Sequence, residues 1–141
     1  MPGLSNGALA ALVLAASLLR GTIEVQQGVA PRYAPGVMER VARHRDLPIV
    51  GCMVSSPRYP VGTWLYVYGV RTARLEWCRV TDVSKAKDRA RHLRTGRVVE
   101  LGYQEARRVC GADRLNDRPE QCPVVVIHVK EADHYGDRDH Q

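Results

Sequence analysis

Four cysteines are the most specific chemical groups in this sequence: Cys52, Cys78, Cys110 and Cys122. No two of them have the C-x-x-C spacing of zinc ribbons or thioredoxin-type sites. An even number of widely spaced cysteines in a chain of 141 residues favours two disulfide bonds in an oxidising compartment, with buried reduced thiols as the alternative. Of the three pairings that four cysteines allow, we favour Cys110 with Cys122, closing a polar loop, and Cys52 with Cys78, tying two early strands.

A strongly basic segment, residues 85–97, is the second chemical feature. Six of its thirteen residues are cations and Asp88 is its only acid. The whole chain has 21 Lys and Arg against 15 Asp and Glu, a net charge of +6, which favours an anionic partner such as a wall polymer, nucleic acid or lipid headgroups. No helix-turn-helix, zinc-finger or RNP-type motif accompanies the segment, so nucleic acid is the less favoured partner.

The last eleven residues, 131–141, form a polar tail that contains metal-binding residue types. His134 and His140 lie there beside three aspartates. Because a frayed tail cannot hold its ligands in a fixed geometry, we expect only weak, nonspecific metal binding there. We therefore predict no metal site and no cofactor.

An apolar run, residues 8–19 (ALAALVLAASLL), indicates where the protein works. As a helix it would reach about 18 Å, too short for a hydrocarbon core of about 30 Å but typical of a signal peptide. No Lys or Arg precedes the run, and Arg20 follows it directly, which is unusual for a signal. We predict that residues 1–30 are a signal peptide, with a candidate cleavage point after Ala30, or a membrane anchor; a buried helix is the remaining alternative. Together with the cysteines, this predicts export to the periplasm, cell envelope or extracellular space.

The rest of the chain divides into a connecting segment and a β domain. Residues 20–36 lack periodicity and are predicted to be a linker, and a short helix completes the segment 31–48. Its basic residues, Arg40, Arg43 and Arg45, are most simply a solvated face. Residues 49–130 contain six short β-rich runs with one or two helical turns, which predicts a mainly β fold, a small six-stranded barrel. The last run, residues 124–129 (VVVIHV), is apolar enough to be buried on both faces.

Three short motifs occur in order within this domain. They are residues 60–63 (PVGT) before a strand, residues 80–84 (VTDVS), and residues 98–102 (VVELG) leading into a helical segment. Their series resembles the double-psi β-barrel of the rare lipoprotein A family, which is related to lytic transglycosylases and expansins. The resemblance covers residues 49–130. It implies a six-stranded double-psi β-barrel that acts on peptidoglycan or another anionic wall polymer.

The resemblance also assigns two catalytic carboxylates. The catalytic aspartate of the family falls on Asp82, and a second family aspartate falls on Glu100, which keeps the carboxylate on a longer arm. Asp82 would protonate the leaving oxygen while the sugar's own hydroxyl attacks, and Glu100 would orient the substrate. Capping of its own turn is the structural alternative for Asp82.

The same resemblance indicates which residues bind the substrate. Trp64, Tyr66 and Tyr68 alternate along one strand and, if they face outward, offer the kind of aromatic surface on which expansin-like proteins stack sugar rings; core packing is the competing interpretation. We add Arg79 as a substrate-binding residue. We also add His92, which, if the basic segment folds over the groove, could replace a family histidine whose place Ser56 occupies; a solvated loop histidine is the alternative. These assignments predict a lytic transglycosylase or a glycan binder. The alternative is a small basic barrel that binds nucleic acid or a protein partner without catalysis.

Overall fold

A computed structural model describes residues 21–111 and 118–130 of the chain. The apolar run at residues 8–19 and the His/Asp tail at residues 131–141 lie outside the described residues. The described part is mainly β, as predicted, with six strands and three α-helices, but only five of the strands lie within residues 49–130, because the first strand precedes that range. The strands are β1 (Thr22–Val29), β2 (Met53–Ser56), β3 (Trp64–Gly69), β4 (Arg74–Val83), β5 (Glu100–Leu101) and β6 (Pro123–Lys130). The helices are α1 (Val37–His44), α2 (Ala86–Arg94) and α3 (Tyr103–Cys110), of which α2 is formed by the basic segment.

The six strands form one sheet in the order β1-β6-β3-β4-β2-β5, curled into a half-barrel. All neighbouring strands are antiparallel except β2 and β4, which run parallel. The concave side holds the main apolar core, to which β3 contributes Leu65 and Val67 and β4 contributes Cys78 and Val80. Four consecutive residues of β6, from Val124 on, are buried on both faces, as the apolar run predicted.

Strand β1 corrects the linker interpretation of residues 20–36. All eight of its residues pair with β6, from Thr22 opposite Lys130 to Val29 opposite Pro123. The sequence of this segment does not indicate a strand clearly, because Gln26 and Gln27 interrupt the alternation of apolar and polar residues. An edge strand tolerates such an interruption. The partner explains the strand: β6 is buried and must pair its backbone groups on both sides. Cleavage after Ala30 would remove this strand from the sheet.

The chain that leaves β1 hydrogen-bonds to the segment containing β5, so the two edges of the sheet approach each other. The amide of Val29 donates to the carbonyl of Gly96 at 2.8 Å, and the amide of Leu101 donates to the carbonyl of Pro31 at 2.9 Å. The approach requires a glycine at position 28, because a Cβ there would lie 2.2 Å from the carbonyl oxygen of Gly96. These contacts curl the sheet towards closure.

Helices α1 and α3 pack on the sheet, whereas α2 does not. The buried side chains of α1, Met38 and Ala42, contact Met53 of β2 in a second, smaller core. Helix α3 buries Ala106 and Val109 in the main core. No residue of α2 is buried.

Both predicted disulfide bonds are present, and they cross-link the strands and helix α3. Cys52, just before β2, joins Cys78 of β4, and Cys110 at the end of α3 joins Cys122 just before β6. The two bonds use all four cysteines of the chain. They indicate an oxidising environment. No helix within the described residues is long and apolar enough to cross a bilayer.

Candidate functional site

Two carboxylates and a serine form a row across three neighbouring strands. Strand β2 lies between β4 and β5, and its residue Ser55 pairs with Asp82 on one side and with Glu100 on the other. Directly paired residues project from the same face of a sheet, and neighbouring strands lie about 4.8 Å apart. The strand positions of the two carboxylates are therefore separated by about 10 Å, two strand spacings. We call Asp82, Ser55 and Glu100 the carboxylate row.

A β-bulge in β4 brings Asp82 into this row. Val54 pairs with Val80, but the next residue, Ser55, pairs with Asp82, so Thr81 is an extra residue in β4. In an uninterrupted register Asp82 would project into the main core with Cys78 and Val80, because strand side chains alternate between faces. The extra residue reverses the alternation and directs Asp82 to the face covered by α1.

Asp82 is held by two side chains that are distant in sequence. A guanidinium nitrogen of Arg45 lies 2.6 Å from Oδ1, and the hydroxyl of Tyr33 donates to Oδ2 at 2.9 Å. Burial raises the pKa of Tyr33 strongly, a hydrogen bond with Ser55 opposes the rise, and the charges of Glu100 and Asp82 add to it. Tyr33 therefore remains a protonated donor to Asp82. No side-chain bond from Asp82 to its own turn is found among the described residues, which disfavours the turn-capping alternative.

Glu100 has an electrostatic environment that favours its protonated form. Burial is the main cause of its raised pKa; the cation of Arg97 opposes the rise and the charge of Asp82 adds to it. A carboxyl group that keeps its proton above the usual range is suited to general-acid catalysis. The sequence-based assignment of a merely orienting role to Glu100 did not include this effect.

An open cavity of about 850 Å³ lies beside Asp82. Its other lining residues all belong to α1 or directly follow it: Val37, Arg40, Val41, His44 and Arg45. They recur at the spacing of one helix face, adjacent to the face that buries Met38 and Ala42. The basic residues of α1 are thus not simply a solvated face, since Arg45 is paired with Asp82 and Arg40 lines the cavity.

The alternating aromatic residues of β3 project away from the main core. Leu65 and Val67 are buried there, while Trp64 is 36% exposed on the other face and Tyr66 and Tyr68 are partly exposed. Trp77 of β4 is 47% exposed, and its ring stacks on that of Trp64 with centroids 5.5 Å apart. The ring of Tyr66 also contacts Trp77, at 4.4 Å. We call Trp64, Tyr66, Tyr68 and Trp77 the aromatic platform.

The aromatic platform and the carboxylate row lie on the same face of the sheet. Trp77 and Arg79 share one face of β4, and the bulge returns Asp82 to that face. Arg79 lies between Trp77 and Asp82 along β4 and pairs with Trp64 on the neighbouring strand. Trp77 and Asp82 are five residues apart, and because the bulge makes Thr81 an extra residue, about four strand steps, or about 13 Å, separate them.

The structure does not bring His92 to the carboxylates. Its Nδ1 lies 2.9 Å from the hydroxyl of Ser84, and among the described residues it makes no hydrogen bond with Asp82 or Glu100. Partial burial is the main cause of its lowered pKa, with the cations of Arg97 and Arg91 adding to it. His92 thus ties α2 to the end of β4.

Helix α2 presents cations to solvent. Arg91 pairs with Asp88 at 2.9 Å. Four further cations make no ion pair within residues 21–111 and 118–130: Lys85, Lys87, Arg89 and Arg94. Helix α2 begins at Ala86, shortly after the end of β4, the strand that carries Asp82.

Sequence reasoning missed Tyr33, Arg45 and Ser55 as site residues. Tyr33 fell in the predicted linker, and Arg45 on a helix face interpreted as solvated. Only the pairing of strands and the packing of α1 bring them to Asp82. No group of three or more His, Cys, Asp or Glu residues suitable for a metal occurs among the described residues.

No protein-family model matches the chain, and comparison with curated proteins gives no match either.

Proposed function

We propose that this protein is exported and acts on the glycan strands of peptidoglycan through a double-psi β-barrel, as a lytic transglycosylase-like enzyme. The observation that carries the proposal is the carboxylate row, in which Asp82 and Glu100, both partly exposed, flank the buried Ser55 on the face of the sheet that also carries α1. The six-stranded half-barrel, the parallel pairing of β2 with β4 and the approach of the sheet edges support the barrel assignment. The two disulfide bonds support export.

Two carboxylates with different surroundings can divide the work of glycan cleavage. Glu100, whose pKa is raised by burial, would donate its proton to the glycosidic oxygen as the bond from that oxygen to C1 breaks. The C6 hydroxyl of the same sugar would attack C1 and give its proton to Asp82, closing an anhydro ring without a water molecule. Both oxygens of Asp82 already accept hydrogen bonds, which suits an acceptor better than a donor. This division differs from the sequence-based expectation, in which Asp82 donates the proton.

Substrate binding would use the face that carries both features. Sugar rings stack well on exposed aromatic side chains, and the aromatic platform offers two stacked indoles and two phenol rings. Arg79 lies between the platform and Asp82, in the path of a bound strand. The cations of α2 would attract an anionic wall polymer to this side of the molecule.

Digestion of purified peptidoglycan sacculi by the full chain tests the proposal. Mass spectrometry of the released material should find anhydro-muropeptides, and Asp82→Asn should abolish them. The matched control is Asp88→Asn, which removes a carboxylate of α2 that pairs with Arg91 and should retain activity. Binding of sacculi without release by the unmodified protein would contradict the enzyme assignment in favour of a glycan binder.

The exposed cations of α2 favour one alternative, a small basic barrel that binds nucleic acid. Such a protein would bind single- or double-stranded oligonucleotides with an affinity that falls steeply with salt. It would also show no preference for sacculi over nucleic acid. Parallel titrations of both polymers at two salt concentrations separate the two functions.

A further inference from the structure

Within the described residues, the outer edge of β1 is free over most of its length. The strand lies at one end of the sheet, and β6 pairs with its other edge. Only its last residue, Val29, has a partner on the outer side: its amide donates to the carbonyl of Gly96 at 2.8 Å, and its carbonyl accepts from the amide of Val98 at 3.3 Å. We call residues 23–27 the free edge of β1.

The direction of the Val29 groups determines which residues of the free edge point outward. In an antiparallel pair, the N–H and C=O groups of one residue face the same side of the strand, and those of the next residue face the other side. The outward-facing residues before Val29 are therefore Gln27, Val25 and Ile23. The register agrees, because Val29 lies opposite Pro123, which has no N–H to donate to it. The free edge thus offers donors and acceptors placed symmetrically about Val25.

This edge is complementary to itself. A second copy of β1, antiparallel to the first about a two-fold axis at Val25, places Ile23 opposite Gln27 and Val25 opposite its own counterpart. Each of these outward-facing residues then exchanges both of its backbone hydrogen bonds with the residue opposite. The whole free edge is used, and none of its outward groups lacks a partner.

The neighbouring registers are less favourable. A two-fold axis at Glu24 would place two carboxylates directly opposite each other, which is destabilising. An axis at Gln26 would place Ile23 opposite Val29, whose outward groups are already bonded to Gly96 and Val98. With the axis at Val25, Glu24 lies opposite the neutral amide of Gln26 instead.

The side chain of Val25 adds an apolar contact at this axis. Val25 is 45% exposed, on the face of the sheet that carries the aromatic platform. It ends a row of residues that pair across four strands: Val25 with Ile127, Ile127 with Tyr66, and Tyr66 with Trp77. A second copy would set two valine side chains against each other, remove both from water and continue this row across the axis.

We propose that the free edge of β1 is a dimer interface, on which a second copy of this chain docks through its own β1. The two sheets become one continuous sheet, and the two aromatic platforms lie on the same face of it. The contact is short compared with the about 20–30 residues a side of a standard interface, so the dimer is in equilibrium with the monomer and forms at raised concentration. This inference does not depend on the proposed function.

Sedimentation equilibrium of the full oxidised chain, without glycan and at rising protein concentration, tests the interface. The average mass should rise from that of one chain towards that of two. Val25→Lys should raise the dissociation constant of the dimer at least about tenfold, because it opposes two like charges at the axis. Leu75→Lys, the same change at a residue of β4 that is 43% exposed, is the matched control and should dimerise like the native chain.

A mixture of two variants gives an effect that loss of stability would not produce. Val25→Lys and Val25→Glu should each be monomeric where the native chain dimerises, whereas their equimolar mixture should form a heterodimer, because opposite charges then meet at the axis. A native chain that is monomeric at every concentration, as it would be if its own N-terminal residues covered the edge, would overturn the proposal. A dimer that survives Val25→Lys, or a mixture that does not associate, would also overturn it.

Discussion

Asp82 and Glu100 flank Ser55 from two different strands, one parallel to β2 and one antiparallel to it. Their surroundings differ although their positions are equivalent across β2. Asp82 accepts hydrogen bonds from Arg45 and Tyr33. The pKa of Glu100, by contrast, is raised mainly by burial. Two carboxylates in unlike environments are what acid–base chemistry at one site requires.

Asp82→Asn should lower the release of anhydro-muropeptides at least about a hundredfold, the low end for loss of an acid–base group. The substitution keeps the shape of the side chain and its hydrogen bond with Tyr33 but cannot accept a proton. Product release from sacculi, followed by liquid chromatography and mass spectrometry, gives the rate. A variant that retains more than about a tenth of the activity would exclude Asp82 from the proton transfer.

Glu100→Gln should stabilise the fold at neutral pH while it impairs activity. A carboxyl group whose folded pKa is raised above the ordinary value of 4.5 binds more protons in the folded state, so its contribution to stability is lost as the pH rises through the folded pKa. The neutral amide avoids that loss. Thermal unfolding should show a higher Tm for the variant near pH 7. Near about pH 3 the two proteins should have the same Tm, because Glu100 is then protonated in both the folded and the unfolded state. An equal shift at both pH values would contradict the assignment.

Intrinsic fluorescence should report glycan binding directly, because the two tryptophans of the chain, Trp64 and Trp77, both belong to the aromatic platform. A neutral N-acetylglucosamine oligosaccharide of four or more units should change the emission of the native protein. Trp77→Ala should weaken binding by roughly fivefold to tenfold, the value of a lost aromatic stacking contact. Ile49→Ala, at a similarly exposed apolar residue outside the two strands of the platform, is the control and should leave binding unchanged.

Gly28→Ala should destabilise the protein by about 1–3 kcal/mol, the usual cost of overpacking. The new methyl group would meet the backbone carbonyl of Gly96, which cannot move without opening the contact between the two edges of the sheet. Gly51→Ala is the matched control, since no atom lies within 4 Å of a Cβ there. Denaturant unfolding measures both. Equal stability of the two variants would show that the edges are not closed in solution.

Non-reducing peptide mapping of native protein should find Cys52 joined to Cys78 and Cys110 joined to Cys122. Removal of the second pair by Cys110→Ala with Cys122→Ala should cost about 3 kcal/mol, the entropy of closing a loop of about a dozen residues. Four reduced thiols in material taken from the native host would contradict both the pairing and the export proposal.

Local sequence patterns were sufficient to predict most of the strands and helices of this protein. The alternation of Trp64, Tyr66 and Tyr68 with apolar residues identifies β3, and the apolar run of β6 identifies a strand buried on both faces. The number and wide spacing of the cysteines indicated two disulfide bonds, and the pairing favoured among the three possible ones is present. These features were predictable because each depends on residues near one another in the chain or on the residue type itself.

The arrangement of side chains in the candidate site depends on the tertiary structure. Whether Asp82 faces the core or α1 depends on one extra residue in β4, and that bulge is visible only in the register against β2. Strand β1 exists because β6 requires a partner, although its own sequence alternates poorly. Tyr33 and Arg45 reach Asp82 only after α1 packs on Met53. Strand register and helix docking are set by the free energy of the whole packed domain, which a local pattern of residues does not contain.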